Sequence, residues 1–379
     1  MKSKSMFLSA IIIAFCAVSC DNSEETVIPE PTVIEGEKAT LSLQISGTPQ
    51  TKAQGNPEQE DKVLKLDAFV FNMDGTIESQ KSATSQNNTI TKVDNIAVTS
   101  GTKKIFVLAN YTGDVSSVKT YSELQQVVSD LKNEKDNGRL TMSTEVVDVI
   151  IIPGKNYLGY TTNPTDGVSI EPHTFTLTRL VARVKIEDMQ WQGGEYTFED
   201  PTAFILNAAK SSNIVKLAAA SLPTGYYQGL SGTGDLYPSS STVLSGADNF
   251  LTSPASNNST YFYIYENQPV EDNIFPTIIV LRAKVKQNGI YINNIPGRVD
   301  TNGYTYFPVI INKESANSTI SGASDNHKYV KRNNTYNIKT VVKGLGTSNP
   351  FSSEAPSSLN VQISVAPWAL NISQTVVFE

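Results

Sequence analysis

The sequence predicts a mostly β protein: two antiparallel β-sandwich domains in series, with a short helix in the first. Three observations carry this. Short runs alternate apolar and polar side chains, the period of a half-buried strand, and Gly, Ser, Asn and Pro clusters separate them. Ser, Thr, Asn, Gly and Tyr are frequent while charged residues make up 18%, a balance that suits an extracellular β-rich chain. The 379 residues exceed one domain of roughly 100–200 residues, so two are expected.

The first strand is KATLSLQISG, where Leu41, Leu43 and Ile45 alternate with Ser42, Gln44 and Ser46. The loop SGTPQTKAQGNPEQED follows, with one basic residue, Lys52; it has little to bury and is expected to be exposed. VLKLDAFVFNMDGTIES reads as two strands around the turn MDGT, and KIFVLANY as another. In TYSELQQVVSDLKNE the residues Leu124, Val127, Val128 and Leu131 keep helical spacing, and Ser122 with Gln125 is placed for a capping box. EVVDVIIIP and the long HTFTLTRLVARVKIEDM are strands, and the Thr/Pro/Gly loop between them puts a domain boundary at residues 171–172. TAFILNAAK, STYFYIYENQ, PTIIVLRAKVKQ, GIYINNI, YTYFPVII, NNTYNIKTVVKGLG and LNVQISVAPWALNISQTVVFE complete the second sandwich.

The N-terminus reads as a targeting segment. Lys2 and Lys4 precede the apolar MFLSAIIIAFCAV, too short for a comfortable membrane span, so residues 1–19 are expected to be a signal peptide. AVSC, ending at Cys20, resembles a lipobox, which makes Cys20 the candidate lipidation site. The acidic, Pro-containing DNSEETVIPEPTVIEGE then reads as a tether. Cys16 and Cys20 are the two cysteines of the chain, so no disulfide, thiolate metal site or Cys nucleophile is expected in the body. A formal net charge of −7 without a long basic run argues against nucleic acid as a partner.

Catalytic signatures are missing. His173 and His327 each stand alone, with no metal-ligand spacing. No nucleophile elbow, P-loop or dinucleotide fingerprint occurs. The acidic pairs Glu199–Asp200 and Glu271–Asp272 sit in turn-like contexts, and NMDGT has too few ligands for calcium and reads as a hairpin turn. The aromatic run Tyr261, Phe262, Tyr263, Ile264, Tyr265 fits a core strand, with a sugar-stacking platform as the alternative. No enzyme, metal or cofactor is expected.

The two ends of the chain are complementary. Leu370, Ile372, Val376 and Phe378 fall on one face of an extended C-terminal segment, as Leu41, Leu43 and Ile45 do in the first strand. An apolar strand of this kind is an aggregation liability unless something pairs with it. A cut after Lys52 would free the first strand and open a groove, which the C-terminal segment of another copy could fill by strand addition. Donor and acceptor lie at different ends, so the contact is heterologous and builds a filament.

The sequence resembles the major fimbrillin family of the Bacteroidales, the shaft subunits of type V pili. AVSC, DAFVFNMDGTI, FVLANYTG, LTRLVARVKI, YFYIYENQ, RNNTYNIKTVVKGLG and VAPWALNISQTVVFE, in that order, carry the resemblance. It implies two transthyretin-like sandwiches, export as an outer-membrane lipoprotein with an acylated (palmitate-type) Cys20, and removal of the first strand by a trypsin-like protease. It further implies donor-strand polymerisation into an adhesive cell-surface fimbrium, together with anchor and tip subunits. Carried over, residues 20–52 form the lipidated propeptide, cleavage leaves Ala53 as the new N-terminus, and the domains span 53–171 and 172–379. The donor then includes Trp368 to Glu379. The family's best-known processing proteases cut after Arg, whereas the site here is Lys. A tip or accessory fimbrillin and a monomeric surface glycan-binding lipoprotein are the alternative readings.

Overall fold

A computed structural model describes residues 35–47, 60–134, 139–162, 164–217, 223–268, 275–315, 318–322, 328–352 and 358–368. The first half contributes β1 (Lys38–Gly47), β2 (Lys65–Asn72), β3 (Ile77–Thr84), β4 (Lys92–Thr99), β5 (Gly101–Ala109), helix α1 (Tyr121–Gln126), β6 (Val128–Asp130), β7 (Met142–Ser143), β8 (Val147–Ile151), β9 (Gly154–Leu158), β10 (Val168–Ile170) and β11 (Phe175–Arg179). The second contributes β12 (Val181–Trp191), β13 (Tyr196–Leu206), β14 (Ala208–Ala209), β15 (Ser211–Asn213), β16 (Tyr226–Gln228), β17 (Ser241–Val243), β18 (Thr252–Pro254), β19 (Tyr261–Tyr265), β20 (Ile278–Gln287), β21 (Ile290–Tyr291), β22 (Tyr304–Ile310), β23 (Ser318–Ser321), β24 (Asn334–Val342) and β25 (Leu359–Pro367). The chain is mostly β, as its alternation predicts, and folds as two sandwiches with one short α-helix in the first half among the described residues.

Side-chain parity builds the layers. In β2 the residues Leu66, Ala68 and Val70 face one core, and in β5 so do Ile105, Val107 and Ala109; they meet Leu41, Leu43 and Ile45 of β1, with Val93 and Ile96 of β4. The opposite parity, Phe69, Phe71, Phe106 and Leu108, belongs to the second, larger cluster together with Leu124 and Leu131. That cluster continues between two layers of the second sandwich. One has the order β19-β12-β24-β25-β23; the other runs β18-β13-β20-β21, with β22 also on β20. Most neighbours are antiparallel, but β1 runs parallel to β9 and β11, β10 to β9, β12 to β24, β16 to β17 and β23 to β25.

The chain passes from one sandwich to the other at Leu180. β11 pairs with β1 and β7, whereas β12 pairs with β19 and β24. The expected boundary at 171–172 therefore falls ahead of β11, which still belongs to the first sheet. A Pro/Gly loop is a local signal, and the partner of β11 is a strand far back in the sequence.

The helix is shorter than its spacing predicts. It covers Tyr121–Gln126, and its capping box is formed by Thr120 and Glu123 instead of Ser122 and Gln125: the Thr120 hydroxyl accepts from the Glu123 N–H, and the Glu123 carboxylate accepts from the Thr120 N–H. Val127 turns extended, and Val128–Asp130 becomes β6, paired with β15. The β-branched pair Val127–Val128 sits better in a strand than in a helix, and a strand partner from the second half decides the matter.

Candidate assembly site

β1 is an inner strand held on both edges. On one side it is antiparallel to β4, from Lys38 opposite Thr99 to Gln44 opposite Lys92; on the other it is parallel to β9, from Ala39 opposite Gly154 to Leu43 opposite Leu158. Its last residues pass to β11, with Ile45 opposite Phe175. Leu41, Leu43 and Ile45 are buried, with Leu41 at 0% exposure, so the residues predicted as the removable strand fill the centre of the first core. Among the described residues, β4 has no ladder partner other than β1. Taking β1 away would leave one edge each of β4, β9 and β11 without hydrogen-bond partners, and an apolar slot between them.

The rim of this slot is built for close approach. Gly159 follows β9 with φ +80, and a Cβ there would lie 2.0 Å from the Gln44 carbonyl oxygen. Just beyond it the Tyr160 hydroxyl donates to Asp94 Oδ1 at 3.2 Å, and Lys92 Nζ lies 5.2 Å from the Tyr160 ring centroid. Asp94 and Lys92 belong to β4, and Tyr160 continues β9, so this contact reaches across β1 from one flank to the other. Burial, followed by the Asp94 charge, pushes the Tyr160 hydroxyl well above its ordinary value, which keeps it a proton donor.

β25 is part of the second sandwich: it is antiparallel to β24 from Pro367 opposite Asn334 to Leu359 opposite Val342, and parallel to β23. Trp368, predicted as the start of the donor, is 2% exposed; its N–H donates to the Asn333 carbonyl at 2.7 Å and its ring stacks on Tyr263 at 5.8 Å. Trp368 is thus anchored in the body. Leu370, Ile372, Val376 and Phe378 lie outside the described residues, as do Cys20, Lys52, Ala53, His327, Glu271 and Asp272.

The remaining chemistry-bearing residues have local partners. His173 faces Glu171 at 3.3 Å on the surface. Glu199 binds Lys286 Nζ and the Tyr291 hydroxyl. In NMDGT, Asp74 accepts from the Thr76 N–H and closes the turn between β2 and β3. In the run 261–265 the residues Phe262, Tyr263, Ile264 and Tyr265 are buried, so it is a core strand, and the Tyr263 and Tyr265 hydroxyls donate to Glu60 and Glu134. Glu60 and Asp61 are the surprise. They close a loop that reads as wholly solvated, yet Glu60 is 0% exposed and pairs with Arg183, and Asp61 pairs with Arg179. A signal was available: arginines in an apolar strand such as LTRLVARVKI need buried acids to partner them.

Two protein-family profiles match. The major fimbrial subunit protein profile covers residues 39–179, and the FimA4 pilin C-terminal domain profile covers 182–368, so they meet where the chain crosses between sandwiches. The major fimbrium subunit FimA type-2 of Porphyromonas gingivalis is 28% identical over 97% of this chain and 98% of its own length. The type-3 subunit of the same organism is 28% identical over the whole of both chains. A crystal structure of a fimbrilin from P. gingivalis superposes with a TM-score of 0.77 at 24% identity, covering 88% of this chain and 99% of that one.

Proposed function

The chain belongs to the major fimbrial subunit family of the Bacteroidales, a family of structural subunits not known for enzymatic activity, and on that premise we propose that it enters its cell-surface fimbrium by donor-strand exchange. In this reading the precursor reaches the outer membrane as a lipoprotein acylated at Cys20. A trypsin-like protease cuts after Lys52, the piece carrying β1 departs, and the C-terminal segment of the next subunit, with Leu370, Ile372, Val376 and Phe378, takes its slot. The same exchange repeated makes the shaft, and anchor and tip subunits end it.

The observation that carries this reading is the position of β1, an inner strand whose apolar face fills the first core, joined to the rest of the chain by the segment that contains Lys52. The magnitudes agree. Burying each of four apolar donor side chains is worth about 1.5–3 kcal/mol, and each ladder hydrogen bond about 0.5–1.5 kcal/mol. Association costs roughly 4–15 kcal/mol. The exchange is favourable into an empty slot and close to neutral while β1 occupies it, so β1 acts as a plug against early assembly.

Three chains test this: the precursor, the chain starting at Ala53, and that processed chain lacking residues 369–379. Unheated SDS gels of the second are expected to show a ladder of heat-sensitive oligomers, and those of the first and third only monomer. A ladder from the truncated chain, or from the unaltered precursor, overturns the proposal.

A further inference from the structure

The first residues described after the cleavage segment and the last ones described before the C-terminal segment meet at one place. Glu60 Oε2 accepts from Arg183 Nη1 at 2.9 Å, and Asp61 pairs with Arg179 Nη2. Arg179 Nη1 also donates to the Trp368 carbonyl at 3.2 Å. The two guanidinium groups stand over the Trp368 ring, 4.2 Å and 4.8 Å from its centroid, and Tyr263 stacks on the same indole while donating its hydroxyl to Glu60. Asn333, with φ +56, completes the site: its side-chain oxygen accepts from the Arg179 N–H and its carbonyl from the Trp368 N–H.

The charges balance, two acids against two arginines, and most of the group is buried: Arg179 and Glu60 are at 0% exposure and Trp368 is at 2%, while the Asp61 side chain is 21% exposed at the edge. A lone buried charge is costly, so each member depends on the others. Burial lowers the Arg179 guanidinium to about 10, with Asp61 and Glu60 opposing, which leaves it charged at neutral pH. Arg179 and Arg183 flank Leu180, where the chain crosses between the sandwiches.

We propose that Glu60, Asp61, Arg179, Arg183 and Trp368 form a clamp that fastens the roots of both chain ends to the junction of the two sandwiches and positions the C-terminal segment for assembly. The assembly role rests on the donor-strand reading. Cleavage after Lys52 leaves Glu60 and Asp61 in the chain, so the clamp survives processing. Residues 53–59 and 369–379 then start from one anchored point. Each residue of the donor adds at most about 3.3–3.6 Å of reach from Trp368. A loosened root gives that reach no fixed origin. The named residues are positioning residues: they act by holding the roots of the two segments.

The test uses the chain starting at Ala53 and its variants Trp368→Leu, Trp368→Phe and Asp61→Asn. Hydrogen exchange of the amides of residues 61–64 is expected to become about tenfold faster in Trp368→Leu, and that of the Trp368 amide about tenfold faster in Asp61→Asn. Trp368→Phe, which keeps an aromatic ring against the guanidinium groups, is expected to restore most of the protection. Folded Trp368→Leu, checked by its far-ultraviolet spectrum, is expected to build the oligomer ladder about tenfold more slowly. Exchange at 61–64 that ignores Trp368→Leu overturns the clamp, and a wild-type ladder rate from a loosened root overturns its positioning role. If the unaltered processed chain builds no ladder, the donor-strand reading fails, and the exchange coupling still decides the clamp.

Discussion

A Cβ on Gly159 would sit 2.0 Å from the carbonyl oxygen of Gln44, closer than any side chain can approach a backbone atom. Gly159 also has φ +80, where an L-residue costs about 1–2 kcal/mol before any clash. The end of β9 therefore lies against β1 only because this position has no side chain. Gly159→Ala is expected to lower the melting temperature of the precursor and to speed hydrogen exchange in β1 and β9 together. If a donor strand takes the β1 slot, the same substitution in the processed chain slows oligomer growth. An unchanged melting temperature would show that the backbone shifts aside at little cost.

Leu43 is 1% exposed at the centre of the first core. Leu43→Ala is expected to cost the precursor about 2–5 kcal/mol through lost burial and an unfilled cavity. The donor-strand reading adds a second outcome, since a weakened plug competes less well with an incoming strand. The Leu43→Ala precursor is expected to form oligomers slowly without protease, where the wild-type precursor forms none. Equal behaviour of the two precursors on unheated gels, despite a measured loss of stability, would detach β1 from the control of assembly.

What the sequence makes legible is what local periodicity encodes. Leu41, Leu43 and Ile45 lie on the buried face of β1 as their alternation requires, and β2 and β3 flank the turn at Asp74. What it hides is set by partners far away. Val127 and Val128 keep helical spacing, yet the strand at Ser211–Asn213 draws Val128–Asp130 into a ladder. Glu60 and Asp61 end a run of polar loop residues and reveal their role only through Arg183 and Arg179, 123 and 118 positions on. β11 follows a loop that looks like a boundary, and its pairing with β1 holds it in the first sheet. Local spacing names a strand; a buried charge or a register needs both partners in view.

The contact from Tyr160 to Asp94 joins the two flanks of β1. Its hydrogen bond is worth about 0.5–1.5 kcal/mol, so Tyr160→Phe and Asp94→Asn are each expected to destabilise the precursor by that order. Because they break one contact, the double variant is expected to lose no more than the larger single one, by urea midpoints. Full additivity would mean that the two side chains act separately and that nothing bridges the rims.

Glu134 gives a pH signature. Its Oε1 accepts from the Ser129 and Tyr265 hydroxyls at 3.1 and 2.9 Å, its Oε2 from the Thr141 N–H at 2.8 Å, and the side chain is fully buried. Burial raises its carboxyl above the ordinary value of 4.5, against these hydrogen bonds. A raised acid binds its proton more tightly in the folded chain. Its stabilising contribution is therefore whole below about pH 4.5 and is lost as pH rises through the folded value. The carboxylates held low, such as Asp166 and Glu199, lose their contribution only at more acid pH. Glu60 is raised as well and shifts wild type and variant alike. Glu134→Gln removes one titration and one of the two acceptor oxygens, so the hydroxyls of Ser129 and Tyr265 or the Thr141 N–H must give up that acceptor, a loss of about 1–3 kcal/mol. Wild type is expected to gain on this variant as pH falls from 7 to 5, read from urea midpoints. A gap that stays constant across that range would show that Glu134 titrates alike in the folded and unfolded chains.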